Sequence, residues 1–335
     1  MRSLRLMARP GPLLEAVEID LAPPGPRQML VRVERSYVSA GTEMNYYREN
    51  PPGRAATPAP LGYMTVGTVE VMGSAIEGYA VGERVLTAGY HGAHWLVDLD
   101  DAGPAAWYIE RLDPAHDLDS VGFVILADIA LHGVRRARLQ IDQSVAVFGV
   151  GLIGQLTLQL ARLSGAYPLI AVDLYPSRLD KARVSGASHV VDAATDDPVA
   201  AIRAITGGVG AEAVFHCAPT PAILQACLQA AAERGTVVLT GSPPGLATIG
   251  LQAELLRHEL TIVGNYEMSL TTPHPYWPWT RQRNRRACLR LLKSGELRLG
   301  HLISHVVPYT EAQAMADMMA RGGDDWMGIV FRWDV

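Results

Sequence analysis

The chain has 335 residues, enough for about two domains of ordinary size. Hydrophobic residues make up 49% and charged residues 19%, the balance of a globular protein and not of a disordered one. With 29 basic against 34 acidic residues the net charge is −5, which argues against a nucleic-acid partner, and three cysteines are too few for a disulfide framework or a four-cysteine zinc lobe.

Arg2, Arg5 and Arg9 precede an apolar stretch, but Glu15 and Glu18 break it before a signal-peptide core forms. The expectation is a cytoplasmic protein with no membrane partner, since the apolar run Val121–Leu126 stops at Asp128. Residues 1–120 carry short alternating runs at Met29–Glu34, Val66–Val71 and Arg84–Thr87, separated by Gly and Pro, which predict a small antiparallel barrel. From Ser144 the rhythm changes to strand–helix alternation. Strands are expected at Ser144–Phe148, Pro168–Val172, His189–Ala193, Ala211–Cys217, Gly235–Gly241 and Leu260–Tyr266, and helices at Leu152–Leu163 and Ala222–Ala232. Six such strands predict a parallel doubly wound sheet. Three prolines keep Thr271–Thr280 irregular, and helices follow at Arg281–Lys293 and Glu311–Arg321, where Met315, Met318 and Met319 read as core packing.

Gly149-Val150-Gly151-Leu152-Ile153-Gly154 fits the dinucleotide fingerprint, because it follows a strand and opens a helix. The first glycine permits the turn, the second lets backbone approach a pyrophosphate, and the third packs helix on strand. Leu152 and Ile153 open the helix whose N-terminus faces the phosphates, and Gly241 ends the fifth strand run as a further cofactor contact. Asp173, 19 residues beyond Gly154, suits the ribose hydroxyls and repels a 2′-phosphate, favouring NAD; Arg178 argues for NADP.

These motifs, with Ser39–Glu43, Leu61–Gly67, Gly82–Val85 and Ala130–Val134, make the chain resemble the medium-chain dehydrogenase/reductase family over essentially its whole length. The resemblance implies an α/β protein: a GroES-like β-barrel catalytic domain over residues 1–126, a Rossmann NAD-binding domain over 127–266, and a return to the catalytic domain over 267–335. It implies an NAD-dependent enzyme with a small-molecule substrate. It also implies a homodimer, since Leu260–Tyr266 would otherwise be an exposed apolar edge. Zinc-type members carry a cysteine where Ala40 stands, a histidine at Tyr63, a carboxylate at Met64 and a third ligand near Ile125, so no catalytic metal is expected. Leu297–Pro308 is similar to a zinc-lacking branch that holds bacteriochlorophyllide dehydrogenases and sugar or cyclitol oxidoreductases.

Without zinc, a side chain must move the alcohol proton. The candidates are Thr42, at the family's relay position; Tyr63, in place of the lost ligand; and His91 and His94, after a strand that borders the family's active site. Each has an ordinary alternative: a turn hydroxyl, a cavity filler, or packed and surface histidines. Glu43 reads as a bracing carboxylate and His132 as a packed histidine. His274, Tyr276, Trp277 and Trp279 either stack on a substrate ring or pack as a proline-fixed loop. The leading reading is hydride transfer between nicotinamide and a secondary alcohol or ketone of a polyol, sugar or cyclitol. Alternatives are an enone or quinone reductase, a retained-NAD enzyme for elimination or epimerisation, and a non-catalytic cofactor sensor or structural protein.

Overall fold

Short apolar runs near the N-terminus form strands, and the computed structural model describes them within residues 1–9, 11–49, 58–100, 109–241, 243, 245–266 and 273–334. Thr271 and Thr272 of the expected irregular segment lie outside the described residues. The chain divides into two units, Met1–Phe123 with Ile303–Val335, and Val124–Leu302.

The first unit holds β1 (Arg2–Arg9), β2 (Leu13–Asp20), β3 (Gln28–Tyr37), α1 (Ala40–Glu49), β4 (Ala59–Pro60), β5 (Thr65–Met72), β6 (Arg84–Thr87), β7 (His94–Asp98) and β8 (Glu110–Arg111). The second holds α2 (Val124–Ala137), β9 (Val145–Phe148), α3 (Leu152–Leu163), β10 (Leu169–Asp173), α4 (Pro176–Val184), β11 (His189–Asp192), α5 (Pro198–Ile205), β12 (Ala211–His216), α6 (Leu224–Ala230), β13 (Ala231–Leu239), β14 (Thr261–Gly264) and α7 (Arg281–Lys293). The chain then returns to the first unit with β15 (Ile303–Pro308), α8 (Ala312–Arg321) and β16 (Gly328–Arg332).

Hydrogen bonding divides the first unit's strands into a three-stranded sheet, β2-β1-β4, and a seven-stranded sheet. The larger one follows the path β15-β16-β3-β5-β6-β8, with β7 also on β3, and β15–β16 is its one parallel pair. β3 is central and almost wholly buried: Met29, Val31 and Val33 are at most 2% exposed. Helix α1 was not expected. It forms because Met44 and Tyr47, one turn apart, bury against Met315, Met318 and Met319 of α8, which confirms the core role of that methionine cluster.

The second unit is a six-stranded sheet in the order β11-β10-β9-β12-β13-β14, every pair parallel. That is the doubly wound order, with its topological switch between β9 and β12. Val145, Ala146, Val147, Ile170 and Val214 are fully buried, as strands covered on both faces require. Helices α3 and α7 occupy the expected residues. The helix expected at Ala222–Ala232 is shorter, because the chain enters β13 at Ala231. The chain rejoins the first unit at Ile303, and not at 267 as the resemblance implied. The reason is local: α7 is tied to α2 by a buried ion pair, Arg285–Asp128 at 2.8 Å, and by Arg135 donating to Asn284.

Candidate active site and cofactor loop

The glycine turn follows β9. Gly149 has φ +83°, and a Cβ there would stand 2.7 Å from the Ala218 backbone nitrogen. A Cβ on Gly154 would stand 2.1 Å from the Gly149 carbonyl oxygen. Both glycines are therefore demanded by the fold. Gly151 is different: a Cβ there would meet nothing within 4 Å, and φ is an ordinary −65°. It begins α3, whose first N–H groups receive no side-chain cap. A bare glycine before uncapped amides fits a dinucleotide pyrophosphate, because a side chain would fill that approach. Leu152 and Ile153 are half-buried beside it.

Two buried side chains hold the turn. Asp173, 8% exposed at the end of β10, accepts from Val150 N–H at 2.7 Å, Leu174 N–H at 2.8 Å and Tyr175 N–H at 3.1 Å. Gln155 donates from Nε2 to the carbonyls of Val150 (2.9 Å) and Arg178 (2.8 Å). The Arg178 guanidinium lies 4.7 Å over the Tyr175 ring. At the other side of the turn, a Cβ on Gly241 would sit 2.7 Å from the Ala218 carbonyl oxygen. Gly149 and Gly241 thus close on Ala218, where β9, β12 and β13 end.

In the first unit, Thr42, Tyr63 and His91 gather around the start of α1. Tyr63 O–H donates to Ser39 Oγ at 2.6 Å, and Ser39 Oγ–H points to Thr42 Oγ1 at 3.4 Å. Thr42 is exposed and Tyr63 half-buried. His91 is 1% exposed and both ring nitrogens are engaged, Nε2 with Glu43 at 2.9 Å and Nδ1 with Ser36 Oγ at 2.7 Å. Ser36 Oγ also accepts from Trp333 Nε1–H at 2.8 Å. With Glu43 accepting, Nε2 carries the hydrogen and Nδ1 accepts from the serine. His91 therefore braces Glu43 with both ring nitrogens taken up inside the fold, an arrangement unlike the acid/base that was expected of it; Glu43's other oxygen accepts Ser39 N–H at 2.7 Å.

His94 lies elsewhere on the sheet, with Nδ1 at 3.0 Å from Ser3 Oγ and Nε2 at 3.4 Å from Glu70. Burial lowers its pKa, against the raising effect of Glu70. The two histidines do not converge, so His94 stands apart from the Tyr63 cluster. In the second unit Trp277 closes edge-to-face on His132 at 5.6 Å, and Trp279 lies between Arg135 (3.6 Å) and Arg283 (4.0 Å). Both indoles are partly buried. His274 stacks on Tyr276 at 5.3 Å, and Tyr276 is 82% exposed.

A family profile described as "Zinc-binding dehydrogenase" matches residues 153–281. The chain is 27% identical to L-threonine 3-dehydrogenase of Pyrococcus horikoshii, over 90% of each chain. It is 29% identical to D-guloside 3-dehydrogenase of Escherichia coli, over 75% of this chain and 71% of that one. An Escherichia coli oxidoreductase/dehydrogenase of unknown specificity has the same fold, with TM-score 0.86, 18% identity and 99% of each chain covered. Over these residues and relatives the chain is similar to the zinc-type dehydrogenases of the medium-chain dehydrogenase/reductase family.

The positions where the resemblance implied catalytic-zinc ligands, or a carboxylate beside them, carry Ala40, Tyr63 and Met64, and Ile125 stands near the third. Met64 is fully buried and Ile125 is 1% exposed. These residues do not fit a tetrahedral site of nitrogen, sulfur or oxygen donors. Among the described residues no three His, Cys, Asp or Glu side chains group as metal ligands. Among the described residues, too, no helix is long and apolar enough to cross a membrane. Sequence reasoning missed Ser39, Ser36 and Gln155. The signal for Ser39 was its place one residue before the Ala-Gly-Thr-Glu start; nothing local marks Ser36 or Gln155, whose partners lie far along the chain.

Proposed function

We propose that the protein is a zinc-independent, NAD-dependent oxidoreductase that interconverts a secondary alcohol and a ketone in a polyol, sugar, cyclitol or similar small molecule. The observation that carries the reading is the Tyr63 phenol, hydrogen-bonded to Ser39 Oγ at 2.6 Å, where zinc-type members carry a metal ligand. When bound, the nicotinamide supplies the hydride acceptor or donor. Tyr63 takes the proton from the alcohol, or returns it to the forming alkoxide, in place of a Lewis acid. Thr42 contacts the substrate hydroxyl, and Glu43 and His91 fix the start of α1 beneath both. The loop Gly149–Gly154 cradles the pyrophosphate, and Asp173 favours NAD because a carboxylate beside the ribose repels a 2′-phosphate. Asp173 has about four acceptor directions, so three backbone partners leave room for one ribose hydroxyl. The names of the threonine and guloside relatives both specify dehydrogenation at a 3-position, which supports a secondary alcohol.

The proposal extends to a homodimer in the reducing cytoplasm. Cys217, Cys227 and Cys288 are free thiols. Among the described residues strand β14 has one hydrogen-bonded neighbour, and Leu251, Leu256 and Tyr266, close to it in sequence, are 60%, 67% and 66% exposed. Such an edge is normally covered.

The test is absorbance at 340 nm with NAD and a panel of polyols, sugars and 3-hydroxy compounds. Tyr63→Phe is expected to lower kcat by about 10²–10⁴-fold with NADH affinity unchanged. Stoichiometric zinc whose removal abolishes turnover would overturn the mechanism. Tighter binding of NADP than NAD would overturn the cofactor assignment, and Asp173→Ala is expected to narrow the difference.

A further inference from the structure

We propose that Ser39 is a positioning residue for Tyr63: its hydroxyl seats the phenol and passes the proton between Tyr63 and Thr42, so that three hydroxyls act as one proton wire. The inference rests on the reading of Tyr63 as the acid/base.

Ser39 immediately precedes α1. A serine there usually turns its hydroxyl onto the N–H of the second or third helical residue. Here the backbone and Glu43 do that work. The Ser39 carbonyl accepts the N–H of Thr42 at 3.0 Å and of Glu43 at 2.9 Å, and the Glu43 carboxylate reaches back to Ser39 N–H at 2.7 Å. The hydroxyl is released from capping and given to side chains. It accepts from Tyr63 at 2.6 Å and donates towards Thr42 Oγ1 at 3.4 Å, while Ser39 itself is 7% exposed. Glu43 is fixed in turn by His91, Ser36 and Trp333. The buried hydroxyl thus stands between a half-buried phenol and an exposed threonine, accepting from the first and giving its single hydrogen towards the second.

The proton balance is simple. When Tyr63 gives its proton to the substrate oxygen, Ser39 gives its own to the phenolate and receives one from Thr42, which is replenished from solvent. Each O–H bond that breaks is matched by one that forms, and oxidation runs the same chain backwards. The hydride moves separately to or from the nicotinamide.

A phenolate on Tyr63 would accept from Ser39 O–H, and a charge-assisted bond is stronger than the neutral one it replaces. Ser39 therefore lowers the cost of ionising Tyr63, an effect that needs no substrate to measure. The full-length protein is labelled with tyrosine bearing ¹³C at Cζ, and the Tyr63 resonance is assigned by its loss in Tyr63→Phe. Ser39→Ala is expected to move the Tyr63 titration midpoint up by about one pH unit, Ser39→Cys to move it in the same direction, and Ser39→Thr to leave it near wild type. The cysteine variant decides the matter if the alanine variant does not fold. A Tyr63 midpoint unmoved in Ser39→Ala or Ser39→Cys overturns the proposal. In turnover, Ser39→Ala is expected to lower kcat about tenfold or more in wild type and to have no further effect on Tyr63→Phe. Equal losses in both backgrounds overturn the wire. Full activity of Tyr63→Phe would instead sink the functional reading, and the titration would still judge Ser39.

Discussion

The three glycines of the fingerprint look alike in sequence but do different jobs, and substitution separates them. Gly149→Ala forces a side chain against the Ala218 backbone at positive φ, and Gly154→Ala drives one into the Gly149 carbonyl. Both are expected to lower the melting temperature and to weaken NADH binding together. Gly151→Ala meets no protein atom, so stability should change by no more than about 1 kcal/mol while NADH affinity falls tenfold or more. Thermal melts beside NADH fluorescence titrations check this, and an unaltered affinity in Gly151→Ala would show that nothing occupies the space before α3. Its spacing from the glycine turn marked Asp173 as the candidate ribose carboxylate. The three backbone partners of Asp173 were not legible, because the Val150 N–H that it holds at 2.7 Å comes from the previous strand's turn. His91 misled for the same reason: a histidine after a strand is only a candidate until Ser36 and Glu43, 55 and 48 residues away in sequence, are seen on its two nitrogens.

At the scale of elements, periodicity found what local sequence encodes. Leu152–Leu163 and Arg281–Lys293 are helices over the expected residues, because their apolar spacing is helical and Thr280 caps the second. Helix α1 escaped notice because Ala40–Glu49 is polar and draws its order from partners remote in sequence, above all α8. The placing of α7 with the second unit escaped notice too, since its ties to α2, the Arg285–Asp128 pair and the Arg135–Asn284 hydrogen bond, join residues about 150 apart in sequence. That pair sets the next expectation. Arg285 and Asp128 are 0% and 1% exposed in their side chains, so neutralising one takes a charged partner at 2.8 Å from a buried charge. Asp128→Asn should cost about 3–5 kcal/mol in denaturant unfolding, whereas an exposed pair such as Arg183–Asp180 should cost less than about 1 kcal/mol. Similar losses for the two would mean that the α2–α7 tie is not what holds the segment.

At the scale of the whole molecule, acid should unfold the protein earlier than its carboxylates alone require. Burial, then Arg136 and Arg135, hold His132 down to about 4, and burial with Arg298 and Lys181 does the same for His301. Both folded values lie below the ordinary 6.5, so the unfolded chain binds more protons between about pH 6.5 and 4. Stability from these groups is present above that window and is lost as pH falls through it. His132→Gln is expected to flatten the melting temperature across pH 4–6.5, and an unchanged slope would place the acid sensitivity elsewhere. The division of the chain carries a consequence for its synthesis. Residues 124–302 leave the ribosome as a complete unit, but β3 waits for β16, and Ser36 waits for Trp333. The brace behind Ser39 and Tyr63 therefore forms only after the whole second unit has been made. A message cut short before codon 333 should yield a product that still captures the dinucleotide yet turns over nothing, so the cell meets a sink for cofactor rather than a half-active enzyme.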